Sequence, residues 1–249
     1  FWSRKHPVSF APPLLAWAER ELYACGVSNR TRLATVFEPL YRHHAFCRET
    51  FRRDDGLYYG DALGCGMDDI PRTPVGVPYA VQGGIPMTRD CLHPWSEWFW
   101  DSIAGNDLYC WNRQAGWIDL TSQMAFDALN LAVIAEALGR AEAAAFRAEH
   151  AELARLINAL CYDESSGFYF DRWEGGLIKR FHAGAFWPLI AGVVPPERVA
   201  RYVALIRDPA KFNRPVPFPS LAADDPDYAP ETGYWTGAVW PPTTYALLR

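Results

Sequence analysis

No stretch of the chain stays apolar for the roughly 20 residues a membrane-spanning helix needs, so no span is expected. No run of Lys and Arg occurs either. With a net charge of −5 and a pI near 5.7, a nucleic-acid partner or an anionic membrane surface is not expected. The six cysteines (25, 47, 65, 91, 110 and 161) are scattered and contain no CxxC pair. That spacing speaks against a zinc site or a disulfide scaffold and for buried thiols in a reducing compartment. Localisation stays open, leaning toward the cytoplasm. A glycine-rich phosphate loop and βαβ alternation are missing, which argues against a nucleotide-binding fold. Phe1-Trp-Ser-Arg-Lys5 leads into no apolar signal region, and no Met opens the chain. The end, Ala246-Leu-Leu-Arg249, falls inside a helical pattern, so a fragment is the expectation.

Aromatic residues, by contrast, are abundant: 11 Trp, 12 Tyr and 14 Phe. Trp and Tyr combine flat apolar faces with a polar edge, which suits both stacking on sugar rings and filling a core. At 249 residues and 50% hydrophobic content, the chain can bury a large core.

One stretch draws the rest together: Leu63-Gly-Cys-Gly-Met-Asp-Asp-Ile-Pro-Arg72. Gly64 and Gly66 free the backbone, Asp68 and Asp69 follow, and Pro71 stiffens the exit. A tight turn delivering carboxylates, with Tyr58, Tyr59 and Trp95 close in sequence, suits a catalytic acid facing a polar ring. An Asx-turn satisfying local backbone donors is the competing reading.

Helical periodicity dominates the remainder. A helix is expected from Pro12 to Cys25, stopped by Gly26, and a second from a Ser28 or Asn29 cap toward Arg52. Thr73 to Trp117 is long and irregular, which marks a functional loop or small elements the pattern does not separate. His93-Pro-Trp95 within it would touch a ligand or pack the loop's own core.

From Asp119 to Gly139, apolar stripes lie on two faces, the pattern of a helix sandwiched between other elements. The next helix, Arg140 to Leu160, has one apolar stripe and one charged face. Asp163 to Asp171 reads as a turn and short strand paired through Glu174-Gly-Gly176 with Leu177–Phe181. Ala183–Val193 then reads as another inner helix, followed by an outer one from Pro195 or Pro196 to Asp208, and by a last inner helix after Pro241-Pro242. Inner and outer helices alternate, so the fold class is all-α and toroidal.

Four motifs occur in order: Gly66-Met-Asp-Asp-Ile-Pro-Arg72, Trp117-Ile-Asp-Leu120, Tyr162-Asp-Glu-Ser-Ser-Gly-Phe-Tyr169 and Gly233-Tyr-Trp-Thr-Gly-Ala-Val-Trp-Pro-Pro242. Together they resemble the (α/α)6-barrel glycosidases of the glycoside hydrolase 63 type, which include processing α-glucosidase I and mannosylglycerate and glucosylglycerate hydrolases, with trehalase a cousin. The resemblance implies one partial (α/α)6 catalytic domain over residues 1–249, with its site at the loop-bearing mouth. It implies a carbohydrate substrate and inverting hydrolysis of a glucosyl- or mannosyl-type α-linkage, with water as nucleophile.

Asp68 matches the family's general acid. Tyr234, Trp235 and Trp240 match aromatic positions lining the sugar subsite. Asp69 and Arg72 would brace the acid's loop, and Asp119 would cap its helix or bind a hydroxyl. No organic cofactor is implied, and no acidic loop is dense enough in oxygen ligands to name a Ca²⁺ site.

Three departures stand out. Thr236 replaces an Arg common after the Tyr-Trp pair, the usual Glu before the acid's turn is absent, and the family's general base would lie beyond Arg249. An inverting pair needs carboxyls about 6.5–9.5 Å apart, and this chain is expected to carry one of them. Rivals are a trehalase-like enzyme, a lyase using His182 and Arg180 against a uronate, and a non-catalytic sugar-binding toroid.

Overall fold

The computed structural model describes residues 11–60, 65–67, 70–72, 115–173 and 176–248. Asp68, Asp69 and the stretch containing Cys91, His93, Trp95 and Cys110 lie outside the described residues.

Helix α1 (Leu15–Ala24) starts later than expected because Leu14 closes a turn on the Pro12 carbonyl at 2.9 Å. Helix α2 (Arg30–Phe51) is capped by Asn29, whose side chain accepts the Arg32 N–H at 3.0 Å. Its buried residues Leu33, Phe37, Leu40, His44, Cys47 and Phe51 recur every three or four positions and form one inward stripe.

A two-residue strand, β1 (Ala115–Gly116), leads into α3 (Ile118–Leu138). As the two-striped pattern implied, α3 is buried nearly all round, and α1, α2 and the next helix all pack on it. Gly139 ends α3 at φ 72°, with its own N–H on Glu136 O and the Arg140 N–H on Ala135 O. That is a Schellman stop, which a side chain at this φ would strain. Helix α4 (Ala143–Leu160) then doubles back and buries only Phe146, Leu153 and Ile157. Inner and outer helices therefore pair as the periodicity predicts.

The following strands are shorter and more divided than expected. β2 (Tyr162–Asp163) and β3 (Phe168–Tyr169) form their own hairpin around Gly167. β4 (Asp171–Trp173) pairs antiparallel with β5 (Gly176–Ile178) and, on its other edge, with β1. The expected inner helix over Ala183–Val193 is instead a 3₁₀ turn, Ala183–Phe186, and a single α-helical turn, α5 (Trp187–Ile190). Gly184 is a poor helix former, Pro188 has no N–H to donate, and Gly192 stops the turn at φ 68°. The segment still fills an inner position, because apolarity drives its burial even where helix propensity fails. Helices α6 (Pro196–Ile206) and α7 (Pro241–Leu248) complete the order, with α7 against α5.

Leu33, Phe37, Leu40, Leu131, Ile134 and Phe146 form one core between α2, α3 and α4. Side chains of this size stabilise by about 1.5–3 kcal/mol each when buried. Of the described cysteines, Cys47, Cys65 and Cys161 are buried free thiols, whereas Cys25 is exposed rather than buried. Among the described helices, none is long and apolar enough to cross a membrane.

A buried charge cluster joins the same three helices. His44 of α2 is fully buried, with Nδ1 2.8 Å from Asp127 of α3 and Nε2 3.1 Å from Glu149 of α4. Arg48 adds a longer ion pair to Glu149 at 3.4 Å. Burial opposes the charge on the ring, but the two carboxylates overcome it and raise His44 from 6.5 to about 9. Burial pushes Asp127 upward, so the net gain is smaller than the His44 shift alone implies. The unfolded ring titrates near 6.5. The contribution of the pair is therefore complete below that pH and is lost as pH rises through about 9. Two outcomes follow for denaturant melts. The urea midpoint should fall between about pH 7 and pH 9.5 in the wild type by more than in His44→Gln, which lacks the group that titrates there. Asp127→Ala should lose about 3–5 kcal/mol near pH 7, the cost of leaving a buried charge without its partner.

Candidate active site

The segment around Asp68 is anchored on both sides. Cys65, Met67, Ile70 and Arg72 are all buried. Gly66 adopts φ 74°, Met67 N–H points to Cys65 Sγ at 3.4 Å, and Ile70 N–H reaches Met67 O at 3.3 Å. These contacts pin the chain entering and leaving the acidic pair.

Arg72 carries the firmest contact. Its Nη1 and Nη2 donate to the two carboxylate oxygens of Asp119 at 3.2 and 2.6 Å, and Nη1 also donates to Asp171 at 2.9 Å. Its guanidinium lies over the Trp117 ring, 3.9 Å from the centroid. Only 2% of Arg72 is exposed, so these are desolvated, charge-assisted bonds. Burial disfavours the cation, but Asp119 and Asp171 reverse that and hold Arg72 above its ordinary value.

Asp119 does not cap its helix. Helix α3 begins at Ile118 with Trp117 in the N-cap position, and the Asp119 carboxylate in the first turn is taken up by Arg72. The first N–H of α3 goes instead to Asp171, whose Oδ1 accepts from Ile118 at 2.8 Å. Asp171 thus caps α3 from a strand 53 residues away. Burial pushes the Asp171 carboxyl up, yet Arg72 and His182 win and hold it below the usual carboxylate range. His182 Nε2 lies 3.3 Å from Asp171 Oδ2 and the ring is fully buried.

The aromatic residues divide between roles. Tyr58 is fully buried, and its backbone N–H donates to Thr121 Oγ1 at 3.0 Å. Tyr59 is 9% exposed and donates its hydroxyl to Thr50 O at 3.0 Å. Both therefore belong to the core instead of flanking a ligand as the sequence suggested. In the second motif, Trp235 and Trp240 stack on each other, 4.4 Å apart at 9°, and Tyr234 meets Trp240 edge-on at 4.7 Å. Trp235 is buried and Tyr234 is 49% exposed, so within this cluster Tyr234 offers the largest free surface. Thr236 is buried against Gly233, where a Cβ would come within 1.8 Å of Thr236 Oγ1.

Backbone bridges connect the two motifs. His182 pairs with Leu221, and Pro219 pairs with Val239. Ser220 ties both sides, accepting the Ala183 N–H at 2.8 Å and donating its own N–H to Ala238 O at 2.9 Å. The aromatic loop and the Arg72 cluster thus sit two backbone bridges apart. Arg180, invoked for a lyase, is buried and engaged by Asp225 and Asp227, both at 2.6 Å. Among the described residues, no group of His, Cys, Asp and Glu is arranged to hold a metal ion.

Asp171 and His182 join Arg72 and Asp119, and neither stood out in sequence as a partner of Arg72. The available signal was a lone acid directly after Phe168-Tyr169-Phe170, a buried aromatic run that an unpaired carboxylate would not follow into the core.

The comparisons with known proteins agree with this architecture. A curated protein of Borreliella burgdorferi described as uncharacterized is 21% identical over 238 residues, covering 95% of this chain and 42% of that protein. The glycoside hydrolase 63 mannosylglycerate hydrolase of Thermus thermophilus, solved with glucose, superposes with a TM-score of 0.73 at 19% identity, over 96% of this chain and 61% of that one. Neutral trehalase of Saccharomyces cerevisiae gives a TM-score of 0.62 at 15% identity, over 96% and 51%. The chain therefore has the (α/α)6-barrel glycosidase fold and spans less than two thirds of each of these three relatives. The family model for the mannosylglycerate hydrolase MGH1-like glycoside hydrolase domain matches residues 3–249, and the chain belongs to that family.

Proposed function

We propose that this chain is the acid-bearing part of a glycoside hydrolase that inverts an α-glycosidic bond in a glucosyl- or mannosyl-containing substrate. The observation that supports the reading most is the clamp on Arg72. Two buried carboxylates and an indole hold the exit of the Gly66-Met-Asp-Asp-Ile-Pro-Arg72 motif, which is the rigidity an acid needs to meet a leaving oxygen within hydrogen-bond reach.

In this reading Asp68 protonates the leaving oxygen, and a water attacks from the opposite face of the sugar ring. The proton of that water passes to a carboxylate base later in the chain than the Gly-Tyr-Trp motif. Asp69 braces the turn beside Arg72. Tyr234 provides the stacking face of the sugar subsite, with Trp240 and Trp235 backing it. The mannosylglycerate hydrolase similarity favours a small α-mannoside or α-glucoside with an acidic aglycone over a large glycan.

The test is hydrolysis of α-mannosides and α-glucosides by the full-length protein, followed by NMR of the newly released anomer. First release of the β-anomer is expected, and first release of the α-anomer would refute inversion. Asp68→Asn should lower kcat by about 10²–10⁴-fold, the usual value of a positioned general acid. Tyr234→Ala should raise KM by about 3–10-fold with little change in kcat, because stacking binds ground state and transition state alike. Trp235→Ala should instead lower the melting temperature, since that ring is packed inside the loop.

A further inference from the structure

We infer that Ser220 is a positioning residue for the sugar-stacking face of Tyr234: its buried hydroxyl takes up the Gly237 N–H and so fixes the loop that carries Tyr234 and Trp240. Ser220 has that role only if Tyr234 is the stacking face, as proposed above. A ring that stacks on a sugar needs a set height and tilt, which an exposed side chain on an untied loop does not have. Tyr234 meets Trp240 edge-on at 4.7 Å and Trp235 at 6.2 Å, both from its own loop. The Trp240 indole N–H closes that loop on the Tyr234 carbonyl at 3.1 Å. These contacts move with the loop, so the height of the ring is set where the loop is fastened to the rest of the molecule.

Ser220 provides that fastening. On one side of it, the Ala183 N–H donates to Ser220 O and the Ala222 N–H to Phe181 O, both at 2.8 Å. On the other, the Ser220 N–H donates to Ala238 O at 2.9 Å and Pro219 bridges to Val239. These are main-chain bonds, which any residue with an N–H would keep at position 220. The bond that depends on the side chain is the one from the Gly237 N–H to Ser220 Oγ at 3.0 Å. Gly237 stands at φ 144°, and a Cβ there would lie 2.9 Å from the Tyr228 ring and 3.0 Å from Pro230 N. Removing the hydroxyl leaves this buried N–H without its acceptor. The approach to Ser220 is itself strained. Phe218 sits at φ 64°, the one non-glycine among the described residues at positive φ, and it precedes a proline. Its N–H on Phe212 O at 2.8 Å and its ring against Phe186 hold it there. Backbone strain of this kind persists where packing over-determines it, and it gathers at sites of function.

The experiment measures the affinity of the full-length protein for D-mannose and D-glucose by titration calorimetry, in wild type, Ser220→Ala, Tyr234→Ala and the double variant. Tyr234→Ala should weaken binding by about 3–10-fold, the range of an aromatic stacking contact. Ser220→Ala should weaken it by about 3-fold or more, but by less than about 1.5-fold once Tyr234 is already Ala, because residues that act as a unit do not add. A purely structural Ser220 would lower the melting temperature and the number of binding sites per chain, leaving the affinity of the folded molecules unchanged. Ser220→Cys, close in size and a weaker acceptor, carries the same cycle if Ser220→Ala fails to fold. Wild-type affinity in a folded Ser220→Ala, or an equal loss with and without the Tyr234 ring, overturns the role of Ser220 while leaving the stacking face in place. Wild-type affinity in Tyr234→Ala, or binding of neither sugar by the wild type, overturns the stacking face, and the role of Ser220 with it.

Discussion

A guanidinium buried to 2% exposure is the constraint around which this structure is arranged. Removing Arg72 from water is expensive, and only close pairing with well-oriented carboxylates recovers the loss. Asp119 and Asp171 provide that pairing from elements far apart in sequence, and Trp117 covers the guanidinium face. The requirement that Arg72 be satisfied thereby dictates where α3 begins, where β4 runs, and how the segment of Ile70 and Arg72 leaves the core. Buried ion pairs of this kind add little net stability but tolerate few alternative geometries. That trade suits a site better than it suits a scaffold.

Helix α3 transmits the constraint. It is covered nearly all round, so its first turn cannot shift without disturbing α1, α2 and α4 together. The His44 cluster repeats the device about two turns further along α3, this time binding three helices through one buried cation and two carboxylates. One inner helix thus carries two buried charge networks, one at its N-terminal end around Arg72 and one near its middle against the outer layer.

The aromatic residues show how evenly composition can mislead. An excess of Trp and Tyr is compatible with a sugar-binding wall and with an aromatic core, and composition does not choose between them. Tyr58, Tyr59, Tyr169 and Tyr202 are interior, and Trp235 spends one face on Trp240. Of Tyr58, Tyr59, Tyr234 and Trp235, Tyr234 alone keeps a large exposed surface. Sequence spacing identifies which residues share a motif, whereas the number of faces left free depends on what packs behind each ring.

By itself the sequence determined the alternation of inner and outer helices, because the 3.6-residue period and the Gly139 stop are local properties of the chain. It also determined the order of the four motifs and the family they indicate. It overestimated the helix at Ala183–Val193, where apolarity argued for burial but Gly184 and Pro188 argued against regular structure. What only tertiary structure decided is which carboxylates Arg72 meets. Asp119 looked like a helix cap because it stands at a helix start, yet the cap bond belongs to Asp171 and the Asp119 oxygens belong to Arg72. Pairing across 47 and 99 residues depends on strand register and on helix packing around a shared core, and neither is encoded in the neighbourhood of any one of those residues.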